Sequence, residues 1–187
     1  MNDLHLKFLA SPEWARMLES ELLPWIERRA PLGDDVLEVG PGPGLTTDLL
    51  RALTPKLTAV EIDPDLAERL ASRLQGTNVE VMVGDATDIG LESNRFSAAT
   101  CFAMLHHVPS AELQDRVFAE LHCVLRPGGV LLAVDSLDLE AIRMFHEGDM
   151  FVPVDHALLG ARLEQFGFRD AVVETTQFEF RVHAFKR

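Results

Sequence analysis

Short apolar segments alternate with segments of helical periodicity from residue 33 onward, and this alternation restricts the fold more than any other feature of the chain. Strands are predicted for the apolar segments 36–39, 56–62, 79–83, 96–102 and 130–134. Helices are predicted where apolar residues recur at helical spacing, at 45–53, 64–74 and 111–125. Such an alternation predicts βαβ units, and therefore a parallel sheet with helices on both faces. In sheets of this kind ligands bind beyond the carboxyl ends of the strands.

The segments that flank this core have patterns of their own. An amphipathic helix is predicted for residues 11–30, which begin with Ser11-Pro12-Glu13, a sequence typical of a helix start. Residues 136–154 have no regular pattern, and a further helix is predicted at 157–166. Two alternating runs within 169–186 predict a terminal antiparallel pair of strands. We therefore expect one domain over 1–187, in which 1–32 forms a helical lid, 33–135 the ligand-binding core, and 136–187 a substrate loop, a helix and the strand pair.

The acidic composition limits the classes of partner. Thirty Asp and Glu residues against seventeen Lys and Arg give a net charge of −13, which would repel the phosphates of a nucleic acid. The longest apolar run, Val130 to Val134, is far shorter than the roughly 20 residues that span a bilayer. The first ten residues lack the features of a signal peptide. We expect a cytoplasmic protein that binds neither nucleic acid nor membrane, and monomer and homodimer both remain open.

A glycine-rich loop follows the first predicted strand. Gly40-Pro41-Gly42-Pro43-Gly44 runs directly into a helix, where glycines permit a tight turn and a close approach of ligand to the main chain. Leu45 stands three residues beyond Gly42, so the pattern is G-x-G-x-G and not the G-x-G-x-x-G of dinucleotide sites. The loop therefore predicts a ligand site and disfavours a nicotinamide cofactor, although a purely structural turn is an alternative.

Acidic residues stand at the ends of the next two strands. Glu61, seventeen residues after Gly44, is placed to accept hydrogen bonds from both hydroxyls of a ribose. Asp85, after the third strand, could accept a hydrogen bond from an exocyclic amine such as that of adenine, or could be a turn residue. Together with the glycine loop, these acids make a three-part pattern at successive strand ends, which favours a binding site.

The ordered motifs resemble those of the class I S-adenosylmethionine-dependent methyltransferases. The four segments that carry the resemblance are 36–44 (VLEVGPGPG), 59–63 (AVEID), 84–86 (GDA) and 125–130 (LRPGGV). The resemblance implies an α/β fold, namely a Rossmann-like doubly wound sheet of seven strands that is mostly parallel with an antiparallel last strand. It also implies S-adenosyl-L-methionine as the cofactor. Four motifs in this order are specific for the family but not for a substrate.

The resemblance also implies roles for individual cofactor-binding residues. The glycine loop, through Gly40, Pro41, Gly42 and Gly44, would border the methionine part of the cofactor. Glu61 would bind the ribose and Asp85 the adenine amine. The residues implied to flank the adenine or the sulfonium are Ile62, Ala86 and Phe102.

Two histidines after the fourth strand are the candidate catalytic residues. Methyl transfer from a sulfonium needs a base only when the acceptor must lose a proton, as a hydroxyl does. His106 and His107 have the residue type suited to this role near neutral pH, although one of them could simply pack or cap the following helix. The segment Ala103-Met104-Leu105-His106 lacks the Asn-Leu-Pro-Tyr type of tetrapeptide found in adenine-N6 methyltransferases of ribosomal RNA, which argues against that subclass.

Because a pair of histidines is available as a base, we expect oxygen to be favoured over nitrogen, carbon or sulfur as the methylated atom.

The substrate site is predicted between the amino-terminal helix and the irregular segment 136–154. The candidate substrate residues are Trp14, Phe145, His146 and Met150, with anchoring of the loop to the core as an alternative role. No metal is expected, because Ala103 stands where some quinone O-methyltransferases have a glutamate ligand, and the spacing of His146 and Asp149 alone is weak evidence. We expect a methyltransferase that acts on a small molecule. The alternatives are a non-catalytic S-adenosylmethionine-binding module or, less favoured, a nicotinamide-dependent oxidoreductase.

Overall fold

A single seven-stranded sheet organises the protein, in a computed structural model that describes residues 2–187. The strands are β1 (Val36–Val39), β2 (Leu57–Glu61), β3 (Val79–Val83), β4 (Phe96–Phe102), β5 (Leu125–Ser136), β6 (Phe168–Thr175) and β7 (Glu179–Lys186). Their order across the sheet is β3-β2-β1-β4-β5-β7-β6, and neighbouring pairs among the first five strands are parallel. Only β7 runs against its neighbours, because it pairs antiparallel with both β5 and β6. The predicted fold class is confirmed.

Helices lie on both faces of the sheet, and three of them precede its first strand in the chain. They are α1 (Asp3–Leu9), α2 (Pro12–Met17), α3 (Leu23–Arg29), α4 (Leu45–Leu50), α5 (Pro64–Arg73), α6 (Ala111–Val124), α7 (Glu140–Phe145) and α8 (Leu159–Gln165). A π-helical turn at Leu18–Leu22 joins α2 to α3, and a 3₁₀ turn at Leu105–His107 follows β4. Within the described residues, no helix is both long and apolar enough to cross a membrane.

Two apolar clusters, one on each face of the sheet, bury the strands. One contains Phe118 and Leu121 of α6, and the other contains Trp25 and Ile26 of α3, all of them essentially inaccessible to solvent. All residues of β1 and β2 are buried, as expected for parallel strands that are covered on both faces. Burial of apolar surface at roughly 25 cal/mol per Å² is the main driving force for this three-layer arrangement.

The sequence-based element predictions differ from the structure at several points. The helix predicted for 11–30 is divided into α2, the π-helical turn and α3, and the helix predicted for 45–53 ends at Leu50. Helix α1 was not predicted, and α7 lies inside the segment that was expected to be irregular. Strand β5 begins at Leu125 and not at Val130, because Phe96 of β4 pairs with Leu125 before a register shift. Both unpredicted helices are six or seven residues long, which is too short for a clear periodic signal.

Candidate functional site

The glycine loop after β1 has a backbone that only glycine adopts easily. Gly40, Gly42 and Gly44 all have positive φ, at +72°, +54° and +88°. A Cβ atom on Gly44 would lie 2.3 Å from Leu70 Cδ1, and one on Gly40 would lie 2.7 Å from Met104 Cβ. The loop is thereby held close to its neighbours, and Gly44 serves as the N-cap of α4. This conformation leaves the main chain of the loop open to a ligand.

A buried carboxyl group links the two elements that flank the glycine loop. Glu38, in the middle of β1, accepts a hydrogen bond from the hydroxyl of Thr46 in the first turn of α4. Burial, the largest effect, raises the pKa of Glu38 to about 7, although the hydrogen bond from Thr46 acts in the opposite direction. The other carboxyl oxygen, Oε2, has no hydrogen-bond partner. Glu38 therefore ties the strand to the helix on either side of the glycine loop.

Glu61 lies at the carboxyl end of β2, facing the loop. Its carboxylate accepts hydrogen bonds from the backbone N–H of Gly42 at 2.9 Å and of Asp63 at 3.0 Å. Asp63 in turn caps α5 through its own side chain. A carboxylate has about four lone-pair positions, so Glu61 retains capacity for further donors. It is placed at the wall of the cavity described next.

A cavity of about 640 Å³ opens at the carboxyl ends of β1 to β4. Eight of the nine predicted cofactor-binding residues line it, namely Gly40, Pro41, Gly42, Glu61, Ile62, Asp85, Ala86 and Phe102. Gly44 lies behind the loop and acts through the backbone instead. Asp85 is exposed at the wall and accepts hydrogen bonds from the N–H and hydroxyl of Thr87, both at 2.8 Å. Other residues that line the cavity were not predicted from the sequence, including Leu9, Thr46, Met104, Val108 and Leu113.

A second cavity of about 570 Å³ adjoins the first. The two share Trp14, Phe102 and Ala103, so these residues form the boundary between them. Most of its other wall is apolar, from Phe8, Met17, Leu18, Leu22, Val134, Ile142 and Phe178. Its lining also includes Asp135 and a group of three charged residues, in which Arg181 lies 3.1 Å from Glu21 and 2.5 Å from Glu179. Sequence reasoning missed this cavity because its walls come from distant segments of the chain.

The predicted substrate residues are distributed unevenly around these cavities. Trp14 lines both cavities and Met150 lines the first, whereas Phe145 and His146 line neither. Phe145 packs its ring against His5 and Phe8 of α1, at centroid distances of 5.2 and 5.7 Å. His146 is buried and lies against the predicted catalytic histidines.

The two predicted catalytic histidines occupy different environments. His107 lines the first cavity, and burial lowers its pKa to about 4, with nearby His106 adding to the effect. His106 is completely buried and lines neither cavity. Its Nδ1 lies 2.5 Å from Asp135 Oδ1, and Asp135 lines the second cavity. Burial by itself would raise the pKa of Asp135, but the charge and hydrogen bonds of His106 lower it overall.

Comparisons with known proteins agree on one family. A family model described as "Methyltransferase domain" matches residues 37–133. The chain is 37% identical over 107 residues to a "Ubiquinone biosynthesis O-methyltransferase" of Xanthomonas axonopodis pv. citri, covering 56% of this chain and 44% of that protein. It is 35% identical over 117 residues to a "Protein-L-isoaspartate O-methyltransferase" of Nitrobacter winogradskyi, covering 60% and 50%. The chain thus spans about half the length of the curated relatives that it matches.

Solved structures show the same fold at low sequence identity. A "SAM dependent methyltransferase from Aquifex aeolicus" superposes with a TM-score of 0.77 at 21% identity, covering 100% of both chains. The "Phospholethanolamine N-methyltransferase 2" of Haemonchus contortus, solved with phosphomonomethylethanolamine and S-adenosylhomocysteine, has a TM-score of 0.72 at 14% identity. That match covers 89% of this chain and 52% of the other. At these identities the likeness establishes the fold alone.

The raised pKa of Glu38 predicts how the stability of the ligand-free protein depends on pH. Its folded-state pKa of about 7 exceeds the usual value of 4.5, so its contribution is full below pH 4.5 and is lost as the pH rises through 7. Glu38→Gln removes this titration. We expect the free energy of unfolding of the variant, minus that of the original protein, to increase by about 2 kcal/mol from about pH 5.5 to about pH 8.5. Denaturant unfolding at both pH values measures it.

Glu68→Gln is the matched control for this experiment. Glu68 is exposed on α5, so its replacement makes the same change in charge without removing a buried carboxyl. We expect the difference between this control and the original protein to stay within about 0.5 kcal/mol over the same pH range. A difference for Glu38→Gln that does not change with pH would contradict the raised pKa.

Proposed function

The chain belongs to the methyltransferase domain family, as a class I enzyme with S-adenosyl-L-methionine as its cofactor, and from this we propose that it methylates a small, largely apolar molecule on oxygen. The observation that carries the proposal is the apolar second cavity, which meets the cofactor cavity at Trp14, Phe102 and Ala103. Its volume lies within the range of about 300–1,000 Å³ typical of small-molecule sites.

We place the cofactor in the first cavity by the roles that the motifs imply. The methionine part lies along Gly40–Gly42, where the positive φ angles expose the main chain. The ribose hydroxyls donate to Glu61, which already accepts from two backbone N–H groups and keeps free lone pairs. Asp85 receives the adenine amine, and Ile62 and Ala86 flank the base. With the cofactor bound in this way, Phe102 and Ala103 would lie between it and the second cavity.

The second cavity is suited to an uncharged acceptor with an apolar body. Its apolar walls favour such a molecule through the hydrophobic effect. Arg181 is paired with both Glu21 and Glu179, so this wall presents no unpaired positive charge that would favour an anionic acceptor. Transfer of the methyl group is an in-line displacement, and two adjoining cavities allow both reactants to be held in that geometry.

Oxygen is the favoured acceptor atom because Asp135, a residue of the wall of the second cavity, can take a proton. A hydroxyl must lose its proton during transfer, and His106 holds the pKa of the Asp135 carboxyl, which is buried behind this wall, below its usual value. We propose that Asp135 receives this proton and that His106 stabilises the carboxylate through Nδ1. His107 remains on the cofactor side of the boundary. Two relatives named O-methyltransferases, at 37% and 35% identity, support the choice of oxygen.

Replacement of Glu61 is expected to weaken cofactor binding. In calorimetric titrations with S-adenosylhomocysteine, Glu61→Ala should lower affinity at least tenfold, which is about 1.4 kcal/mol, because the ribose loses its carboxylate. Glu61→Gln keeps the side-chain shape and one oxygen acceptor, so it should lose less. Glu68→Ala, on the exposed face of α5, is the control and should bind like the original protein. Equal affinity for Glu61→Ala and the original protein would contradict the placement of the ribose.

Replacement of Phe178 is expected to impair acceptor binding alone. Phe178 lines the second cavity but not the first. With labelled cofactor and a panel of apolar phenols, amines and thiols, we expect transfer to the phenols. Phe178→Ala should raise the acceptor KM about fivefold, from roughly 1 kcal/mol of lost apolar contact, and leave the cofactor KM unchanged. Leu158→Ala, an exposed residue outside both cavities, is the control.

The acceptor panel also separates the proposal from its alternatives. Transfer to amines or thiols in preference to phenols would contradict the assignment of oxygen. Binding of S-adenosylhomocysteine without transfer to any member of the panel would instead favour a non-catalytic binding module. An equal rise in the acceptor KM for Phe178→Ala and Leu158→Ala would show that the second cavity is not the acceptor site.

A further inference from the structure

Four of the seven histidines of the chain converge at one point between α1, the 3₁₀ turn after β4 and the end of α7. They are His5, His106, His107 and His146, and we call them the histidine cluster. All six pairs of ring centroids lie between 4.2 and 5.8 Å apart. One nitrogen from each ring falls within 4.8 Å of the corresponding atoms of the other three. Three of the side chains are buried and His107 is half-buried.

Oxygen acceptors fix the orientation of three of these rings. His146 Nδ1 lies 2.7 Å from the carbonyl of Ile142, and His107 Nδ1 lies 3.1 Å from the carbonyl of Met150. A carbonyl only accepts, so both Nδ1 atoms carry the hydrogen. His106 Nδ1 faces the carboxylate of Asp135 in the same way. In the neutral ring each of these three histidines therefore has its lone pair on Nε2.

The remaining ring nitrogens of the cluster lack hydrogen-bond donors from the rest of the described structure. The Nε2 atoms of His106 and His146 lie 3.1 Å apart. The Nε2 of His107 and the Nδ1 of His5 are buried and have no hydrogen-bond partner. A proton on His106 Nε2 would satisfy the first pair but would leave His5 and His107 unpaired. A single cation at the centre of the cluster satisfies all four nitrogen atoms.

We propose that the histidine cluster binds a divalent transition-metal ion of the zinc class through four imidazole nitrogens. Imidazole is a ligand suited to zinc, and a tetrahedral site with bonds of about 2.0–2.1 Å places its ligand atoms roughly 3.3 Å apart. The 3.1 Å separation of His106 and His146 already meets this value. No two of the ligand atoms are more than 4.8 Å apart, so any pair needs to approach by at most roughly 1.5 Å to reach the tetrahedral spacing.

The second layer of contacts is the one that metal-binding histidines use. A ligating histidine commonly donates its other N–H to a carboxylate or a backbone carbonyl, which fixes the ring and its tautomer. Asp135, Ile142 and Met150 supply these acceptors to His106, His146 and His107.

A closed set of four protein ligands indicates a structural role for the ion, because catalytic zinc sites keep one position open. His5 is the only ligand from α1, and the other three come from segments that border the cavities. Asn2 reinforces the same junction through its backbone N–H to Asp149 at 2.8 Å and its amide to the Phe145 carbonyl at 3.2 Å. The ion would therefore fasten α1 over the mouth of the cofactor cavity, where Leu9 is part of the wall.

Metal binding can be measured directly on protein that carries no polyhistidine tag. We expect about one zinc ion per chain by elemental analysis after dialysis against zinc and then metal-free buffer. Cobalt added to the metal-stripped protein should give the visible absorption of tetrahedral Co²⁺. His5→Ala should weaken zinc binding at least tenfold, and Asp135→Asn, which removes a supporting acceptor, by about 10–100-fold. His156→Ala, a half-buried histidine outside the cluster, is the control and should bind zinc normally.

Proteolysis tests the fastening of α1. Lys7 is exposed in α1, and trypsin should cleave after it at least tenfold faster in metal-stripped protein than with zinc bound. His5→Ala should be cleaved at the fast rate in both conditions. Absence of zinc and cobalt binding, or binding that is equal in His5→Ala and His156→Ala, would overturn the site. Binding of zinc without protection of Lys7 would overturn the structural role. Neither result depends on methyl transfer.

Discussion

Parallel pairing of β1 with both of its neighbours is the constraint on which the rest of the site depends. Because β2 and β4 run parallel to β1, their carboxyl ends reach the same edge of the sheet. The glycine loop follows the end of β1, Glu61 is the last residue of β2, and Phe102 is the last residue of β4. Parallel pairing of the three strands therefore brings these groups together. The buried carboxyl of Glu38 adds a local requirement, since it holds β1 against α4 on either side of the loop.

The fold, and much of the cavity at the strand ends, could be predicted from the sequence because both depend on short-range patterns. Strand and helix periodicity predicted the layers, and eight of the nine residues predicted to bind the cofactor line the first cavity. The exception, Gly44, contributes backbone geometry to the loop and not a surface to the cavity. The positions of these residues in the fold follow from their distance along the sequence from a strand end, and strand ends can be recognised in the sequence. The terminal strand pair was predictable for the same reason, because its residues alternate.

The second cavity and the histidine cluster could not be predicted, because they bring together segments that are far apart in the chain, such as Trp14 with Phe178 and His5 with His146. No sequence motif links His5 to His106, and α1 is too short to be recognised by its periodicity. Phe145 and His146 were predicted to contact the substrate because they lie in the segment 136–154. In the structure both pack against His5 of α1. The cavity wall from Phe178 likewise belongs to the turn between β6 and β7. Only the tertiary fold brings these segments together.

The two proposals assign the histidines and Asp135 to separable roles. Nδ1 of His106 faces Asp135, and its Nε2 faces His146, so neither nitrogen is directed into a cavity. In the proposed reaction the proton of the acceptor is therefore assigned to Asp135 and not to His106. A metal ion on His106 Nε2 leaves that carboxylate in place at the acceptor cavity, and it fixes Nδ1 as the donor to Asp135. The base and the structural metal can thus share one histidine, each on its own side of the ring.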